Sequence, residues 1–260
     1  MQDRHKNRQK YFNEQALTTS RHVIPFIEKT KQIDENISVL EIGCGEGGNL
    51  KPFIDMGCKR IVGVDMNTRK IDNANRFFAE HPNCDKLEFI CDDIFNRPDL
   101  GEFDVIIMRD VLEHIHGQER FMQMSKQFLK PGGRFFLGFP PWWNPFGGHQ
   151  QVCKSKFLAK LPFFHLLPVF LYKPILKAFG ESEIMIEALL EVKETGISIN
   201  RFERIIRRTG YQKAVRRFYL INPNYEVKFG LKPRTVITPF SHIPFLRDLY
   251  ITTNYYILEK

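Results

Sequence analysis

A glycine-rich turn between residues 39 and 50 is the clearest chemical signal in the sequence. The run VLEIGCGEGGNL places Gly43, Gly45 and Gly48 at the spacing G-x-G-x-x-G, directly after an apolar strand. Glycines at these positions let the backbone turn tightly and approach a ligand without a Cβ in the way. Dinucleotide-binding folds share this spacing, and there a helix N-terminus receives a pyrophosphate. Glu41, two residues before the first glycine, would repel a diphosphate and favour a cationic ligand, so the turn predicts a positively charged nucleotide-type cofactor.

Acidic residues also end the next two apolar strands. Asp65 closes the run IVGVD and lies 20 positions after Gly45, and Asp92 and Asp93 close the run LEFICDD. A carboxylate at the position of Asp65 can accept both ribose hydroxyls of an adenosine-type ligand. It can equally cap the helix that follows, and the two roles are compatible. The acids therefore predict an adenosine site without identifying the class of protein.

Together these motifs resemble those of the class I S-adenosylmethionine-dependent methyltransferases. Glu41, Gly43, Gly45 and Gly47 match the family's first motif, acid-x-Gly-x-Gly-x-Gly. The runs FDVIIMRDVLEHI and LKPGGRFFLGFP resemble two further family signatures, and the resemblance covers about residues 38 to 140. It implies S-adenosylmethionine as the methyl donor and S-adenosylhomocysteine as the product, and the sulfonium and α-ammonium give the acid of the first motif its cationic partner.

The same resemblance implies a set of cofactor contacts. Asp65 would bind the ribose, Met66 would lie against the adenine face, and Ile94 would offer its backbone to the ring. The position of Asp93 accepts a hydrogen bond from the adenine amine in the family, but Asp92 stands where glycine is frequent, so which acid faces the base stays open. The predicted cofactor-binding set is Glu41, Gly43, Cys44, Gly45, Asp65, Met66, Asp92, Asp93, Ile94 and Arg109.

Apolar strands alternate with helical segments as far as about Phe139, which predicts a doubly wound α/β sheet with helices on both faces. Such a sheet binds its ligand at the carboxyl ends of its strands, where all the motifs lie. A sixth strand and an antiparallel last strand complete a predicted seven-stranded, mostly parallel sheet. The predicted strands lie near 38–42, 60–64, 87–91, 104–108, 134–139, 214–221 and 251–258.

We predict a single methyltransferase domain, residues 1–260, with four parts. Residues 1–36 form N-terminal cap helices, one of them roughly His22 to Thr30. In the segment before that helix, Tyr11 either contacts the cofactor or packs against the rest of the domain. Residues 37–140 form the cofactor-binding half, and residues 199–260 form a helix and the last two strands. Residues 141–198 are an insertion after the fifth strand, where family members build substrate lids.

Two segments of the insertion indicate what it contacts. The run PPWWNPFGGHQQ resembles an aromatic wall that ends at His149, or else a loop whose aromatic residues complete the core. The run LPFFHLLPVFLYKPILKAF is apolar, but its three prolines disfavour a transmembrane span. It favours a helical lid over an apolar pocket, with a dimer contact or an interfacial membrane patch as the alternatives.

His114 and His149 are the predicted catalytic residues. A hydroxyl acceptor is too weakly acidic to ionise alone and needs a general base. For His114 a structural role at the start of a helix is the alternative. Asp110, Glu113 and His114 also fit, with Asp in place of the usual Glu, an acid-x-x-Glu-His run that binds a divalent cation in some quinone O-methyltransferases. Many metal-free relatives share the Glu-His pair, so no metal is predicted.

The charge of the chain is uneven. Lys and Arg number 38 against 30 Asp and Glu, for a net charge of +8, and the basic excess lies in residues 151–260. Seven cations lie between residues 201 and 217. We interpret them first as a solvated face of a helix. The alternative is a surface that binds an anionic substrate or an acidic membrane. Nucleic acid is not the predicted partner, because no RNA-enzyme motif is found.

The remaining features concern compartment and class. Five cysteines without a C-x-x-C pair predict neither a disulfide framework nor a zinc site. No apolar stretch follows the basic N-terminus, which predicts a cytoplasmic protein. The predicted function is S-adenosylmethionine-dependent methylation, on oxygen, of a small-molecule, sugar or lipid-linked acceptor. A noncatalytic cofactor-binding partner subunit, an RNA methyltransferase and a nicotinamide-dependent oxidoreductase are the alternatives, and a homodimer and a peripheral membrane contact stay open.

Overall fold

The computed structural model describes residues 7–237 and 240–260. The strands are β1 (Ser38–Ile42), β2 (Arg60–Asp65), β3 (Leu87–Cys91), β4 (Phe103–Arg109), β5 (Leu129–Phe139), β6 (Gln212–Ile221), β7 (Arg234–Thr235) and β8 (Thr253–Glu259). The α-helices are α1 (Arg8–Thr18), α2 (Ile24–Ile27), α3 (Lys51–Asp55), α4 (Thr68–Phe78), α5 (Gln118–Ser125), α6 (Val169–Ala178), α7 (Glu183–Thr195), α8 (Ile199–Thr209), α9 (Asn224–Phe229) and α10 (Leu246–Tyr250). A π-helical turn, Thr19–Val23, joins α1 to α2.

The strands form one sheet in the order β3-β2-β1-β4-β5-β8-β6-β7. Neighbours among β1 to β5 pair in parallel. Strand β8 pairs antiparallel with both β5 and β6. The predicted doubly wound α/β sheet with an antiparallel last strand is confirmed, and the structure adds an eighth strand, β7, whose two residues are exposed at the edge.

The central strands are apolar on both faces because helices cover both faces of the sheet. Leu40, Val62 and Ile106 contribute to one buried cluster, whereas Val39 and Ile61 contribute to another. Successive side chains of a strand point to opposite faces, so the two clusters lie on the two sides of the sheet. Parallel strands held in this way bring the carboxyl ends of β1, β2 and β4 to one edge, where the motif residues follow.

The start of β5 differs from the predicted strand, which begins near residue 134, after the Pro-Gly-Gly run. Strand β5 already begins at Leu129, which pairs with Phe103, and pairing resumes at Arg134 with Val105. The residues Pro131, Gly132 and Gly133 therefore form an irregularity inside the strand.

The insertion has a small hydrophobic core of its own. Its buried members include Leu158 and Phe164 before α6, Tyr172 and Leu176 on α6, and Leu189 on α7. Short 3-10 turns make up most of residues 150–166, and α6 and α7 follow. Pro174 lies inside α6. No helix within the described ranges is long and apolar enough to cross a membrane.

Part of the C-terminal basic cluster pairs with acids of the fold. Glu203 on α8 lies 2.6 Å from Arg216, 2.9 Å from Arg247 and 3.6 Å from Lys213. Burial raises the pKa of Glu203, but these cations, Arg247 first, lower it to about 2. Arg208 lies 3.3 Å from Glu119. Several of these cations thus hold α8 against the sheet and α5, which leaves fewer of them as a solvated face.

Candidate active site

A pocket of about 410 Å³ opens at the carboxyl ends of β1, β2 and β4. Its size is that of a small-molecule or cofactor site. Eight of the ten predicted cofactor-binding residues line it, and so does His114. The eight are Gly43, Gly45, Asp65, Met66, Asp92, Asp93, Ile94 and Arg109.

The glycine-rich turn forms the floor of the pocket. The N–H groups of Gly43 and Cys44 donate to the carbonyl of Val64, at 2.8 and 3.0 Å, and fix the turn to the end of β2. Gly43 has φ +74°, and a Cβ there would overlap the Val111 side chain. Only glycine allows this close approach without strain.

Asp65 connects this turn to the pocket wall. One carboxylate oxygen accepts the N–H of Gly45 at 2.8 Å, and the other accepts the N–H of Asn67 at 2.9 Å. The Nζ atom of Lys70 lies 3.8 Å away. Asp65 does not cap helix α4, because the side chain of Asn67 does so. A carboxylate accepts up to about four hydrogen bonds, so two positions are free for ligand hydroxyls.

Glu41 and Cys44 lie beneath the turn and do not line the pocket. Both are buried. The side-chain amide of Asn49 donates to Glu41 at 2.6 Å, and Thr19 in turn donates to Asn49 at 2.9 Å. Burial raises the pKa of Glu41 to about 8, against the opposing effect of Asn49 and of Arg109. The carboxyl group that was expected to face the cofactor cation thus belongs to a buried layer under the turn.

The predicted adenine end of the pocket is built from the ends of β2 and β3. Met66, directly after β2, exposes 74% of its surface, and it lines the pocket. Asp92 accepts the N–H of Asp93 at 2.7 Å, and Asp93 accepts the N–H of Phe95 at 3.0 Å. Both acids line the pocket, so the choice between them stays open.

The N-terminal helix and the insertion add pocket residues that the sequence motifs did not identify. Arg8 and Gln15 of α1 line the pocket beside Tyr11, and Arg8 forms an ion pair with Glu46 of the glycine-rich turn. Glu191 of α7 lines the far side. Helix α1 has no strong apolar periodicity, and no motif marks Glu191, so only the three-dimensional arrangement identifies them.

The two predicted catalytic histidines lie together at the insertion side of the pocket. Their ring centroids are 5.1 Å apart. His114 lines the pocket, whereas His149 lies behind it, with Nε2 3.6 Å from Oε1 of Glu113. Glu113 and His114 belong to a 3-10 turn, Leu112–His114, that follows β4. In the sequence, Glu113 is marked only by its place in the acid-x-x-Glu-His run.

The insertion fixes this turn in place. The hydroxyl of Thr195, at the end of α7, donates to the carbonyl of Glu113. The side-chain amide of Gln118 donates to the carbonyls of Leu112 and Thr195, at 3.0 and 2.6 Å. The side chains of Thr195, Gln118 and Glu113 are all buried. The position of the Glu113-His114 pair therefore depends on where α7 packs.

The electrostatic surroundings shift the two histidines in opposite directions. Burial lowers the pKa of His114, more than Glu113 raises it. Burial also lowers the pKa of His149, but the Glu113 carboxylate and then Asp110 raise it, and the net shift is upward. Compared with an ordinary histidine, these surroundings favour the neutral imidazole in His114 and the protonated form in His149.

The expected aromatic wall does not form part of the pocket lining. Trp142 packs edge-on against His165 at 4.6 Å, and its carbonyl lies 2.8 Å from Nε2 of the same histidine. Trp143 exposes 41% of its surface. Trp142 is thus partly buried against the insertion, outside its buried hydrophobic cluster, and neither interpretation of the aromatic residues is settled by this packing.

Comparison with known proteins places the fold. The family described as a methyltransferase domain matches residues 11–160. A solved structure of a geranyl diphosphate C-methyltransferase from Streptomyces coelicolor, in complex with Mg²⁺, geranyl diphosphate and S-adenosyl-L-homocysteine, is similar with a TM-score of 0.56. It is 16% identical, and the match covers 91% of this chain and 78% of that one.

Curated relatives match over shorter segments. A sterol 24-C-methyltransferase of Debaryomyces hansenii is 31% identical over 129 residues, which are 48% of this chain and 34% of the relative. A ubiquinone biosynthesis O-methyltransferase of Pelagibacter ubique is 30% identical over 103 residues, 40% of this chain and 42% of the relative. The chain thus spans less than half the length of these two relatives.

Proposed function

We propose that this chain, which belongs to the class I S-adenosylmethionine-dependent methyltransferase family, transfers the methyl group of S-adenosylmethionine to an oxygen atom of a small-molecule, sugar or lipid-linked acceptor. The position of Asp65 carries the cofactor part of the proposal. Its carboxylate lies in the pocket wall, is fixed by the N–H groups of Gly45 and Asn67, and keeps acceptor positions for two ribose hydroxyls.

The other contacts follow from this placement of the ribose. Met66 would lie on one face of the adenine, with Asp92 or Asp93 and the backbone of Ile94 at its edge. Gly43 and Gly45 would approach the methionine part of the cofactor through the backbone, and Arg109 lines the pocket beside them. Glu41 would act indirectly, by holding the turn through Asn49.

The acceptor would approach from the side of the insertion. We assign residues 141–198 to a substrate lid because α7 brings Glu191 to the pocket and braces the turn that bears His114. His114 would stabilise the acceptor oxygen as it loses its proton, with His149 and Glu113 behind it. Orientation of the acceptor in line with the methyl group would contribute on the order of 7 to 11 kcal/mol at the extreme.

The acceptor class rests on the relatives. By their names, the relatives above act on sterols and in ubiquinone biosynthesis, and the similar solved structure is that of an enzyme for geranyl diphosphate, an apolar chain with a charged diphosphate. Because these names include carbon as well as oxygen acceptors, an assay panel needs both. The family match favours methyl transfer over the nicotinamide-dependent alternative, and the cytoplasmic location stays a prediction.

The test is transfer of a labelled methyl group. The protein is incubated with methyl-labelled S-adenosylmethionine and a panel of phenols, catechols, sterols and total lipid extract, and the labelled products are identified by mass spectrometry. We expect label in an apolar hydroxyl compound. Binding of S-adenosylhomocysteine without transfer to any acceptor of the panel would favour the noncatalytic partner subunit instead.

The acceptor-side residues are tested in the same assay. Replacing His149 or His114 by Ala should lower turnover by about 100-fold or more, because loss of a group that assists proton removal has effects of that size. Affinity for S-adenosylhomocysteine should stay unchanged. His81→Ala is the matched control, since His81 bonds to Asp55 outside the pocket lining. Equal turnover in the control and both variants would refute the assignment.

A further inference from the structure

Three side chains with metal-binding atoms converge behind the pocket wall. One ligand atom each of Glu113, His114 and His149 lies within 4.8 Å of the others. The Glu113 and His149 atoms are 3.6 Å apart. Ligand atoms about 2.0–2.2 Å from a tetrahedral ion lie roughly 3.3 Å from one another, so small side-chain movements would bring the group to coordination distance.

The carboxylate of Glu113 is buried without a hydrogen bond, and His149 is its ion-pair partner. Glu113 is 1% exposed, and neither side-chain oxygen has a hydrogen-bond partner. The 3.6 Å distance to His149 is longer than a hydrogen bond. A buried charge costs free energy unless it is paired or coordinates a metal. A cation between Glu113 and the two imidazoles would satisfy both oxygens at once.

His149 also has an unusual backbone conformation. Its φ of 59° and ψ of 17° place it in the left-handed region, directly before a 3-10 turn, Gln150–Val152. That conformation is unfavourable for a residue other than glycine. Such conformations persist where the surrounding structure imposes them, often at functional sites. His149 comes from the loop after β5, whereas Glu113 and His114 follow β4, so the group joins two neighbouring strand ends.

We propose that Glu113, His114 and His149 form a binding site for a divalent first-row transition-metal ion. Two imidazoles and one carboxylate suit Zn²⁺, Fe²⁺ or Co²⁺ better than Mg²⁺ or Ca²⁺, which prefer oxygen ligands. Asp110 is not a member of this group. Three protein ligands leave coordination positions open, and because His114 lines the pocket, those positions would lie beside the acceptor.

A bound ion would offer a second way to activate the acceptor oxygen. An acceptor hydroxyl bound to the ion would release its proton to solvent water more easily, since a divalent cation stabilises the negative charge that forms on the oxygen. The ion would then take the place of a histidine base, because a coordinated imidazole nitrogen cannot accept a proton. Metal binding itself depends only on the three side chains, not on the proposed methyl transfer.

Cobalt titration tests the site without cofactor or acceptor. The full chain, free of any polyhistidine tag and treated with chelator, is titrated with Co²⁺ and followed by visible absorption, with Zn²⁺ added afterwards as competitor. We expect one Co²⁺ per chain, with the absorption of a nitrogen-coordinated ion, and displacement by Zn²⁺. His149→Ala should weaken Co²⁺ binding by about 100-fold or more, since loss of even an outer partner costs 10- to 100-fold.

Two further variants make the result specific. Glu113→Gln keeps the shape of the buried side chain but removes its charge, and it should weaken Co²⁺ binding as strongly. His116→Ala, at an exposed histidine two residues from the site and outside the group, should bind Co²⁺ like the wild type. A wild type that shows no such absorption, or a His149→Ala variant that binds Co²⁺ as the wild type does, would overturn the proposal. Either result would leave the methyl-transfer proposal intact.

Discussion

At the residue scale, the carboxylates around the glycine-rich turn have separate tasks. Asp65 faces the pocket and holds Gly45 in place, whereas Glu41 lies below the turn and bonds to Asn49. Both acids end apolar strands, and strand order brings them within reach of the same turn. Their difference comes from depth, because only Asp65 is part of the pocket wall.

The depth of Glu41 makes a prediction about pH and stability. Its folded-state pKa of about 8 lies above the ordinary value of 4.5, because burial disfavours the charged form. The folded protein then keeps a proton that the unfolded chain releases, so this contribution to stability is full below pH 4.5 and is lost as pH rises through about 8. The slope reaches at most about 1.4 kcal/mol per pH unit.

Urea unfolding of the cofactor-free protein between pH 5 and 9 measures this effect. Relative to the wild type, Glu41→Gln should gain stability as pH rises across that window, because it has no proton to lose. Glu35→Gln, at an exposed position before β1, is the control and should follow the wild type. Parallel stability curves for Glu41→Gln and the wild type would show that the Glu41 carboxyl ionises normally.

Residue types predicted much of the cofactor side but little of the acceptor side. Gly43, Gly45 and Asp65 lie within short motifs whose positions follow from the strand order. Glu113 and His149 are 36 positions apart in the chain, and their approach depends on how the loop after β5 folds back. No local pattern encodes such a contact, and none could place Glu41 below the turn.

At the element scale, the strands were the most predictable part of the structure. Apolar runs marked the five parallel strands, most clearly β1, β2 and β4, which are largely buried on both faces, whereas β3 at the sheet edge is partly exposed. Strand β7 has two exposed residues and no apolar pattern, so no pattern in the sequence predicted it. The helix expected at His22 to Thr30 is instead the end of a longer helical stretch from α1 through α2, which a π-helical turn joins.

Helix α7 is the element that connects the insertion to the site. It carries Glu191 into the pocket, and Thr195 at its end bonds to the turn of Glu113 and His114. If residues 141–198 act as a lid, amide hydrogen exchange in α7 should slow when S-adenosylhomocysteine fills the pocket. At about 100 times Kd the protection can rise by up to about 100-fold, because the ligand binds only the closed form.

Helix α8 supplies the internal reference for that experiment. It packs against the sheet and no residue of it lines the pocket, so its exchange should change much less. Exchange in α7 that is equally fast with and without ligand would contradict a lid role. The insertion would then be a fixed part of the fold.

At the scale of the whole molecule, the sheet determines what the chain can bind. Its parallel half gathers the glycine-rich turn, Asp65 and the Glu113 turn at one edge. Its antiparallel half, with β8 and β6, carries much of the basic excess, where Glu203 neutralises several cations. Several cations of the basic cluster are thus paired within the fold, although the net charge of +8 already includes the acids that pair with them.

The central claim is that Asp65 binds the ribose of S-adenosylmethionine, and calorimetric titration with S-adenosylhomocysteine tests it most directly. We expect the wild type to bind this ligand and not NAD. Asp65→Ala should weaken binding by about 1.5 to 3 kcal/mol, because hydrogen bonds to charged groups contribute that much. Asp72→Ala, at an exposed carboxylate on α4, should bind like the wild type. Unchanged affinity in Asp65→Ala, or binding of NAD in place of S-adenosylhomocysteine, would contradict the account.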